Sequence, residues 1–478
     1  MKNSFLHFKL DDKIMKSIKD LGFKKPTPIQ NKVIPHLLLS NQDLIATAQT
    51  GTGKTAAFGL PLLQLTDTNS NKIQTLILCP TRELCLQIGK DLSTYSKYLK
   101  NINTLSVYGG AKIDKQIRSL KKGPQIIVGT PGRTKDLIRR KKLFLGNIKR
   151  LVLDESDEMR SMGFKDDLEF IIKSASKEKQ ILLFSATMNS KVNTVTKKYM
   201  KNSLKISVAS VNRAAENVDH IFYMVQARDR YEVVKRIADM NPNIYGIVFC
   251  RTRRETKEVA NKLMNDHYNA DTIHGDLTQN ERDDVMRRFR KRQLQILVAT
   301  DVAARGLDVE DLTHVINYNL PDDDEIYVHR SGRTGRAGRN GISIAIIHGR
   351  EHHRIREIER KSGISFKRQK VPNGLEICKK RLYTLIDKIE KVKVNEDQIE
   401  QFLPYIYDKL NWLDREQLIK HFVSTEFNRY LSYYRDARDI NIESHGREKG
   451  HRKKPKRKRK RFNSSKRKRR NKQKGKIS

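Results

Sequence analysis

A glycine-bearing segment at residues 48–55 constrains the fold of this chain more than any other stretch. It comes after an apolar run at 44–46, which predicts a short buried strand, and it leads into 54–63, whose composition predicts the start of a helix. A strand, a glycine-bearing loop and a helix that opens with Lys-Thr form a phosphate cradle, because backbone N–H groups and the helix dipole both favour an anion. The strict pattern begins with glycine and this loop begins with Ala48, so an ordinary strand–helix turn is the alternative for the loop alone.

Further apolar runs alternate with helical patterns along the first half of the chain. They lie at 75–79, 126–128, 149–153 and 181–184. Strands that alternate with helices at this spacing predict a doubly wound parallel sheet, which binds ligands at the carboxyl ends of its strands. The run at 149–153 delivers Asp154 and Glu155 to that edge, where one carboxylate can hold Mg²⁺ and the other can orient or deprotonate an attacking water.

The strand–helix pattern restarts at Val218 and continues to a last apolar run at 342–347. This second half lacks a phosphate loop and instead carries arginines three residues apart in a glycine-rich stretch, namely Arg330, Arg333, Arg336 and Arg339. Guanidinium groups clamp phosphates and developing phosphoryl charge, although a basic surface face is the alternative. Since one half carries the loop and the carboxylates and the other carries the arginines, we infer that a nucleotide binds between the halves and that closure completes the site.

The chain is strongly basic, with a net charge of +42 over 478 residues. Residues 446–478 hold 19 Lys/Arg and a single acid, Glu448, and the rest of the chain is basic as well. This balance favours a polyanionic partner, most simply nucleic acid, over a merely solubilising surface.

Cysteine spacing and hydropathy predict a cytoplasmic protein with no membrane partner. Cys79, Cys85, Cys250 and Cys378 form no Cys-x-x-Cys pair, which predicts buried thiols in a reducing compartment rather than a zinc site. No apolar run approaches the ~18 residues of a membrane helix, and the first residues lack the apolar core of a signal peptide.

A proline-flanked turn precedes Gln30. Pro26 and Pro28 impose an extended backbone that fixes the pose of this glutamine. A Gln amide can pair with the N6/N7 edge of adenine, and a purely structural turn is the alternative for this stretch alone.

Taken together, these motifs resemble those of the DEAD-box family of ATP-dependent RNA helicases of superfamily 2, in its bacterial form, over residues 4–365. In chain order they are the Q motif (Phe5 with 22–30), motif I (48–55), motif Ia (80–84), Gly109 with Gly110, motif Ib (130–133), motif II (154–157), motif III (185–187), motif IV (248–250), Gln279 with Arg282, motif V (300–308) and motif VI (329–336). The family's phosphate loop normally begins with Ala, which removes the objection to Ala48. One position departs, because Ser156 stands where the family usually has Ala. A serine hydroxyl removes no carboxylate, so we expect retained activity with altered coupling.

The resemblance implies an α/β fold of two tandem RecA-like domains, each a doubly wound parallel sheet, with ATP and Mg²⁺ as cofactors. It implies ATP-binding roles for Phe5, which would stack on adenine, and for Gln30, Ala48, Gln49, Thr50, Gly51, Thr52, Gly53, Lys54, Thr55 and Asp308. The implied catalytic residues are Lys54, Asp154, Glu155, Arg333 and Arg336, the two arginines acting as arginine fingers in cis. Thr55 and Asp154 would hold the metal.

The resemblance also implies contacts to the RNA sugar-phosphate backbone. The matching positions are Thr81, Arg82, Gly110, Thr130, Gly132, Arg133, Arg282 and Thr300. Coupling between nucleotide and RNA would involve Ser185, Thr187, Asp157 and His329. Because phosphates carry no sequence information, we expect binding to structured RNA with little sequence preference.

The predicted domain organisation has five parts. They are a RecA-like ATP-binding domain with the Q motif (1–206), a linker (207–217), a second RecA-like domain (218–365), a helical extension (366–442) and a disordered basic RNA-binding tail (443–478). The extension can dimerise or pack on the second half, and packing is favoured. The tail can be an RNA tether or a nuclear import signal, and the bacterial type of the extension favours the tether.

The resemblance thus predicts an RNA-dependent ATPase that locally unwinds short duplexes and remodels structured RNA. Ribosome assembly and mRNA turnover are candidate processes, with ribosomal and RNA-decay proteins as candidate partners. The alternative from another class is an ATP-gated RNA clamp or an annealing chaperone that acts mainly through its basic tail. A DNA helicase is a weaker alternative, because the Q motif and motif VI are of the RNA-acting kind.

Overall fold

Two parallel sheets with flanking helices form the framework of the chain. The computed structural model describes residues 4–48, 51–185, 196, 198–200, 202–208, 217–304, 309, 312–335 and 339–442. Five predicted site residues lie outside these ranges, namely Gln49, Thr50, Thr187, Asp308 and Arg336, and so does the predicted tail at 443–478. Residues up to Ile442 belong to one compact unit.

The first sheet has seven described strands, all parallel. They are β1 (Leu44–Thr47), β2 (Thr75–Leu78), β3 (Thr104–Val107), β4 (Ile126–Gly129), β5 (Arg150–Leu153), β6 (Gln180–Ser185) and β7 (Leu204–Ser207). Their order across the sheet is β3-β4-β2-β5-β6-β1-β7. The five inner strands coincide with the apolar runs of the sequence. The edge strands β3 and β7 were not predicted, because only Val107 and Ile206 in them are buried.

Helices cover both faces of this sheet. They are α1 (Asp12–Asp20), α2 (Pro28–Leu39), α3 (Lys54–Gln64), α4 (Arg82–Tyr95), α5 (Ile113–Leu120), α6 (Pro131–Arg139), α7 (Ser156–Ser161) and α8 (Lys165–Ser174). Successive residues of β2 point to opposite faces, so Ile77 joins one core and Leu76 and Leu78 join the other. Two cores on one sheet are the pattern of the doubly wound fold that the sequence predicts.

The second sheet repeats the topology of the first. Its strands are β8 (Val218–Met224), β9 (Gly246–Cys250), β10 (Ala270–Ile273), β11 (Ile296–Thr300), β12 (His314–Asn317), β13 (Gly341–Ile347) and β14 (Lys367–Gln369). Their order is β10-β11-β9-β12-β13-β8-β14, which is the order of the first sheet with each strand replaced by its counterpart. The prediction of two tandem sheets of one type is confirmed, whereas the short, exposed edge strand β14 was not predicted.

Helices again flank the second sheet and then continue beyond it. Those of the sheet are α9 (Arg230–Met240), α10 (Arg253–Asn265), α11 (Gln279–Arg290), α12 (Asp301–Ala304), α13 (Asp324–Ser331) and α14 (His352–Ser362). Those of the extension are α15 (Gly374–Lys391), α16 (Glu396–Ile399), α17 (Leu403–Leu410) and α18 (Arg415–Tyr434).

The extension packs on the second half through α9, which is the favoured of the two alternatives. Arg381 of α15 lies 2.9 Å from Asp239, and the Tyr434 hydroxyl of α18 donates to the same carboxylate at 2.5 Å. Gly374 allows the start of α15 to lie against the end of α18, because a Cβ at this position would be only 2.6 Å from the Tyr434 carbonyl oxygen. The bounds of the five predicted domains stay a prediction, although β7 already extends to Ser207, the first residue of the predicted linker.

Candidate functional site

The glycine-bearing loop between β1 and α3 is built to receive an anion. Gly51 and Gly53 have φ values of +81° and +85°, which side chains rarely tolerate. A Cβ on Gly53 would also lie 2.5 Å from the Gln30 amide nitrogen. Gly53 is the N-cap of α3 and supplies no side-chain cap, so the described first-turn N–H groups of this helix face the loop.

Lys54 lies across this loop. Its side chain is buried, and its Nζ donates to the Ala48 carbonyl oxygen at 2.9 Å. Thr55 comes next on the first turn of α3 and is half-buried. A buried ammonium held beside an uncapped helix N-terminus fits the charge of a polyphosphate.

Gln30 links the proline-flanked turn to the loop. Its Nε2 donates to the Gly53 carbonyl oxygen at 3.2 Å, and its Oε1 accepts from the Thr27 backbone N–H at 2.8 Å. The second bond forms a capping box at the start of α2. The geometry thus gives Gln30 a structural role beside the loop, and its predicted contact with adenine stays a prediction.

The predicted stacking ring, Phe5, lies in an aromatic cluster. It is 3% exposed, and the ring of Phe23 stacks on it at 6.1 Å between centroids. Phe23 itself is 37% exposed. Phe5 therefore supports Phe23, which has the surface open to a flat ligand. Sequence alone did not single out Phe23, because burial decides which ring is accessible, and the role of Phe5 towards adenine stays a prediction.

The carboxylate pair lies at the carboxyl end of β5. Asp154 is buried, and its N–H donates to the Leu78 carbonyl oxygen at 2.9 Å, which extends the pairing of β5 with β2. Glu155 adopts a left-handed backbone with φ of +49° and donates its N–H to Asp154 Oδ1 at 3.0 Å. A non-glycine residue in this conformation is strained, and such strain is common where a side chain must be aimed at a ligand.

Burial shapes the charge of both carboxyl groups. It raises the pKa of Asp154, although the Lys54 ammonium opposes the shift. Burial and the neighbouring Asp154 carboxylate raise the pKa of Glu155 to about 6, against the pull of Lys54 and Arg333. A carboxylate that titrates near neutral pH is suited to accept a proton from water. Lys54 and Glu155 of the first half and Arg333 of the second are thus close enough to interact.

The arginines of the glycine-rich stretch do not act as one clamp. Arg330 is buried, and its guanidinium is bound by both Asp301 oxygens at 2.5 and 2.8 Å, by the Asn317 side chain and by the Asn319 carbonyl oxygen. Arg330 therefore supports the second half structurally, which corrects the expectation from the three-residue spacing. Arg333 instead lines a cleft with Glu158 and His329, and its charge lowers the pKa of Glu155.

His329 forms a contact between the halves that the motifs did not reveal. Its Nδ1 lies 2.5 Å from Glu158 Oε1, one residue beyond motif II. Burial is the largest single influence and opposes a charge on the imidazole, but the hydrogen bond to Glu158 and the negative charges of Glu158, Asp157 and Glu155 together outweigh it, so the pKa of His329 is raised. Asp157, predicted to take part in coupling, lies beside this pair and accepts the Glu158 N–H at 3.2 Å. Ser185 contributes its carbonyl oxygen, which accepts the Ala48 N–H at 3.0 Å.

Several predicted RNA-binding residues meet where the two halves touch. Arg82 of α4 lies 3.0 Å from Asp283 of α11, and Arg282 lies 3.1 Å from Glu83. Gly110, with φ of +78°, borders the same contact. The sequence patterns missed both acidic partners, because they lie about 200 residues away in the chain.

The remaining predicted RNA contacts lie at strand ends and helix starts. Thr81 caps α4 by accepting the Leu84 N–H at 3.2 Å, and the Arg133 guanidinium donates twice to the Ala111 carbonyl oxygen at 3.1 Å. Gly132 lies on the first turn of α6, two residues after the buried Thr130. Thr300 ends β11 and is buried.

The donor set fits a magnesium ion bound together with phosphates. Among the described residues, no group of three or more His, Cys, Asp or Glu side chains could enclose a metal. Mg²⁺ in nucleotide sites uses one or two carboxylates with substrate phosphates and waters, so a protein cage is not needed. Within the described part of the chain, no helix combines the length and the apolar character required to cross a membrane.

Three family models match this chain. The one described as DEAD/DEAH box helicase matches residues 27–195, and the one described as helicase conserved C-terminal domain matches 229–338. A third, described as probable ATP-dependent RNA helicase, helical domain, matches 377–435.

Curated relatives and solved structures agree with these matches. The ATP-dependent RNA helicase CshA of Listeria monocytogenes is 43% identical over 410 residues, which cover 86% of this chain and 78% of the relative. The DEAD-box ATP-dependent RNA helicase CshA of Bacillus subtilis is 41% identical over 84% of this chain and 80% of the relative. A structure of S. cerevisiae Dbp5 bound to RNA and ADP BeF3 matches with a TM-score of 0.71 and 31% identity, over 79% of this chain and all of that chain.

Proposed function

The chain belongs to the DEAD-box family and is an ATP-dependent RNA helicase; we propose that it locally separates short duplexes in structured RNA, powered by RNA-stimulated ATP hydrolysis. The observation that carries the proposal is the split site. Lys54 and the Asp154–Glu155 pair lie on the first half. Arg333 of the second half lines a cleft with Glu158 of the first half, and its charge lowers the pKa of Glu155. Such a site is complete only when the halves are together.

Each residue of the split site has a chemical task. Glu155 accepts a proton from the attacking water, for which its raised pKa suits it. Lys54 and Arg333 place positive charge where phosphoryl charge develops. Thr55 and Asp154 would hold Mg²⁺, which neutralises phosphate charge when it is bound.

Residues of both halves would bind the RNA. Arg82 and Gly110 lie side by side on the first half, and Arg282 of the second half pairs with Glu83, the residue after Arg82. An RNA backbone held by both sides favours closure, and closure brings Arg333 to Glu155. This link accounts for RNA-stimulated hydrolysis, and we propose that strand separation accompanies closure.

The decisive test is ATP hydrolysis by the full chain, with and without RNA, at a salt concentration that weakens binding by the basic tail. We expect strong stimulation by RNA and none by DNA. Glu155→Gln should abolish both hydrolysis and duplex separation while ATP-dependent RNA binding persists. Duplex separation that survives Glu155→Gln would favour the annealing chaperone, as would its complete loss on truncation before Gly446.

We also propose a homodimer that forms through the helical extension. Residues 374–435 carry 11 Lys/Arg and ten Asp/Glu, so this segment is nearly neutral in a basic chain. Several of its aromatic side chains are exposed, among them Tyr383, Tyr405, Tyr407, Trp412 and Phe422. A neutral, apolar surface suits a protein partner better than RNA.

Light scattering of the full chain tests the dimer. Tyr405→Asp combined with Trp412→Asp should convert dimer to monomer, and Leu39→Asp, at an exposed leucine of the first half, is the matched control. A wild-type monomer at micromolar concentration would contradict the homodimer. If the wild type is a monomer, we propose that cytoplasmic ribosomal or RNA-decay proteins bind this surface instead. Binding of the full chain to purified ribosomes or RNA-degrading enzymes tests that proposal.

A further inference from the structure

The contact between Arg82 and Asp283 joins α4 of the first half to α11 of the second. Arg82 Nη2 lies 3.0 Å from Asp283 Oδ2, and the guanidinium carbon of Arg82 lies 4.9 Å from the centroid of the Tyr108 ring. The ring and the carboxylate together fix the guanidinium at the border between the two helices. In the proposed function, Arg82 binds an RNA phosphate, and the role inferred for Asp283 rests on that function.

The Arg82 guanidinium has unused donors. Its Nε and Nη1 are buried and have no hydrogen-bond partner among the described residues. A guanidinium presents five N–H donors in a planar fork that matches a phosphate bidentately. Gly110 lies directly beside these donors, because a Cβ at that position would be in van der Waals contact with Arg82 Nη1, at 3.8 Å. The arginine is therefore arranged for a larger anion than the one carboxylate oxygen that it now contacts.

Asp283 is held in a way that permits its displacement. Its side chain is 54% exposed, and its second oxygen accepts from Gln279 Nε2 of the same helix at 2.9 Å. The neighbouring pair Glu83–Arg282 differs, since both side chains are less than one-fifth exposed and Arg282 also donates to the Ala303 carbonyl oxygen at 2.6 Å. The Glu83–Arg282 pair is thus mostly shielded from solvent on both sides, whereas the carboxylate of the Arg82–Asp283 pair is exposed and can be exchanged.

We propose that Asp283 is a built-in surrogate for an RNA phosphate. When no RNA is bound, its carboxylate forms an ion pair with the Arg82 guanidinium and thereby stabilises the closed arrangement of the two halves. An incoming phosphate has more acceptor oxygens, can use Nε and Nη1 of Arg82, and displaces the carboxylate. Asp283 therefore sustains basal ATP hydrolysis and at the same time competes with RNA, which makes it a residue that sets the RNA dependence of the enzyme.

Asp283→Asn in the full chain tests this role, because the amide keeps the shape and the acceptor for Gln279 but loses the charge. We expect the RNA-free ATPase rate to fall about two- to five-fold, the range of an exposed ion pair. The KM for RNA should fall by a similar factor, with kcat at saturating RNA unchanged. RNA affinity measured by fluorescence anisotropy should rise in parallel, and Asp283→Glu should behave like the wild type.

Asp284→Asn is the matched control. Asp284 is the next residue of α11, and it pairs with Arg287 and Arg288 of the same helix. Equal effects of the two substitutions would overturn the proposal in favour of bulk charge. A raised KM for RNA in Asp283→Asn would also overturn it, because Asp283 would then position Gln279 for RNA. An unchanged KM and basal rate would overturn it as well. A wild-type enzyme that RNA does not stimulate would instead refute the proposed function.

Discussion

The two sheets of this protein share one strand order but differ in the segment that connects the first strand of each to its helix. After β1, the chain forms the loop with Gly51 and Gly53 and enters α3 at Lys54. After β8, the chain makes a short 3₁₀ turn, Ala227–Asp229, and enters α9 at Arg230. The same place in the topology therefore holds a phosphate cradle in one half and an ordinary turn in the other.

The helix at this place has a different task in each half. In the second half, α9 is the helix on which the helical extension packs. Arg236 on this helix donates to the carbonyl oxygens of Pro372 and Arg438 at 3.1 and 3.0 Å, and Asp239 binds Arg381. A shared fold thus assigns no function by itself, and the loop chemistry decides which half binds the nucleotide.

This comparison predicts opposite outcomes for the first residue of each helix. Lys54→Gln should lower the RNA-stimulated ATPase by about 10³-fold, because it removes a preorganised charge from the phosphate cradle. Arg230→Gln breaks the 2.7 Å pair with Glu351 and should cost about 2–3 kcal/mol of folding free energy while the ATPase stays within about two-fold. ATPase assays with thermal unfolding measure both. A folded Arg230→Gln protein without ATPase activity would contradict the division of tasks.

The second half also holds two arginines of one motif with different tasks. Arg333→Ala should lower kcat by about 10²-fold in a stable protein, because it removes a positive charge that acts on Glu155 from the other half. Arg330→Ala should destabilise the second half by about 3–5 kcal/mol, because it leaves Asp301 without its buried partner. Circular dichroism and steady-state kinetics separate the two effects. Equal kinetic defects in two equally stable variants would show that both arginines act on the nucleotide.

The sequence predicted the elements that depend on local pattern. Inner strands such as β2 and β6 are continuous apolar runs buried on both faces, so they were predictable. The edge strand β14 is exposed throughout and carries no such signal. Lys54, Asp154 and Glu155 were found through motif spacing. The partners Glu158 and Asp283 were not, because their contacts depend on how two halves of the chain meet.

The electrostatic link between the halves predicts a pH dependence. Glu155 must be deprotonated to accept a proton, so kcat at saturating RNA should fall tenfold per pH unit as the pH drops below about 6. Besides Arg333, the charged groups that act on Glu155 include Lys54, Asp154, Glu158 and His329. Because Arg333 lowers the pKa of Glu155, the residual activity of Arg333→Ala should have its midpoint at higher pH. An unmoved midpoint in the pH profile would mean that Arg333 does not act on Glu155.

The smallest expected effect concerns Ser156, the departure in motif II. Its hydroxyl is buried and has no hydrogen-bond partner within the described chain, and such a group costs about 1 kcal/mol or more. Ser156→Ala should therefore stabilise the first half by about 1 kcal/mol. Ser331 of the second half is the matched control, since its buried hydroxyl lies 2.8 Å from that of Ser343, and Ser331→Ala should destabilise by a similar amount.

Denaturant unfolding observed by probes in each half measures these opposite shifts, because a chain of two domains need not unfold in one transition. A loss of stability in Ser156→Ala would mean that the hydroxyl is hydrogen-bonded in solution. In that case the serine would be a structural part of motif II. A gain in stability, together with a changed ratio of ATP hydrolysed to duplex separated, would assign the hydroxyl to coupling rather than to folding.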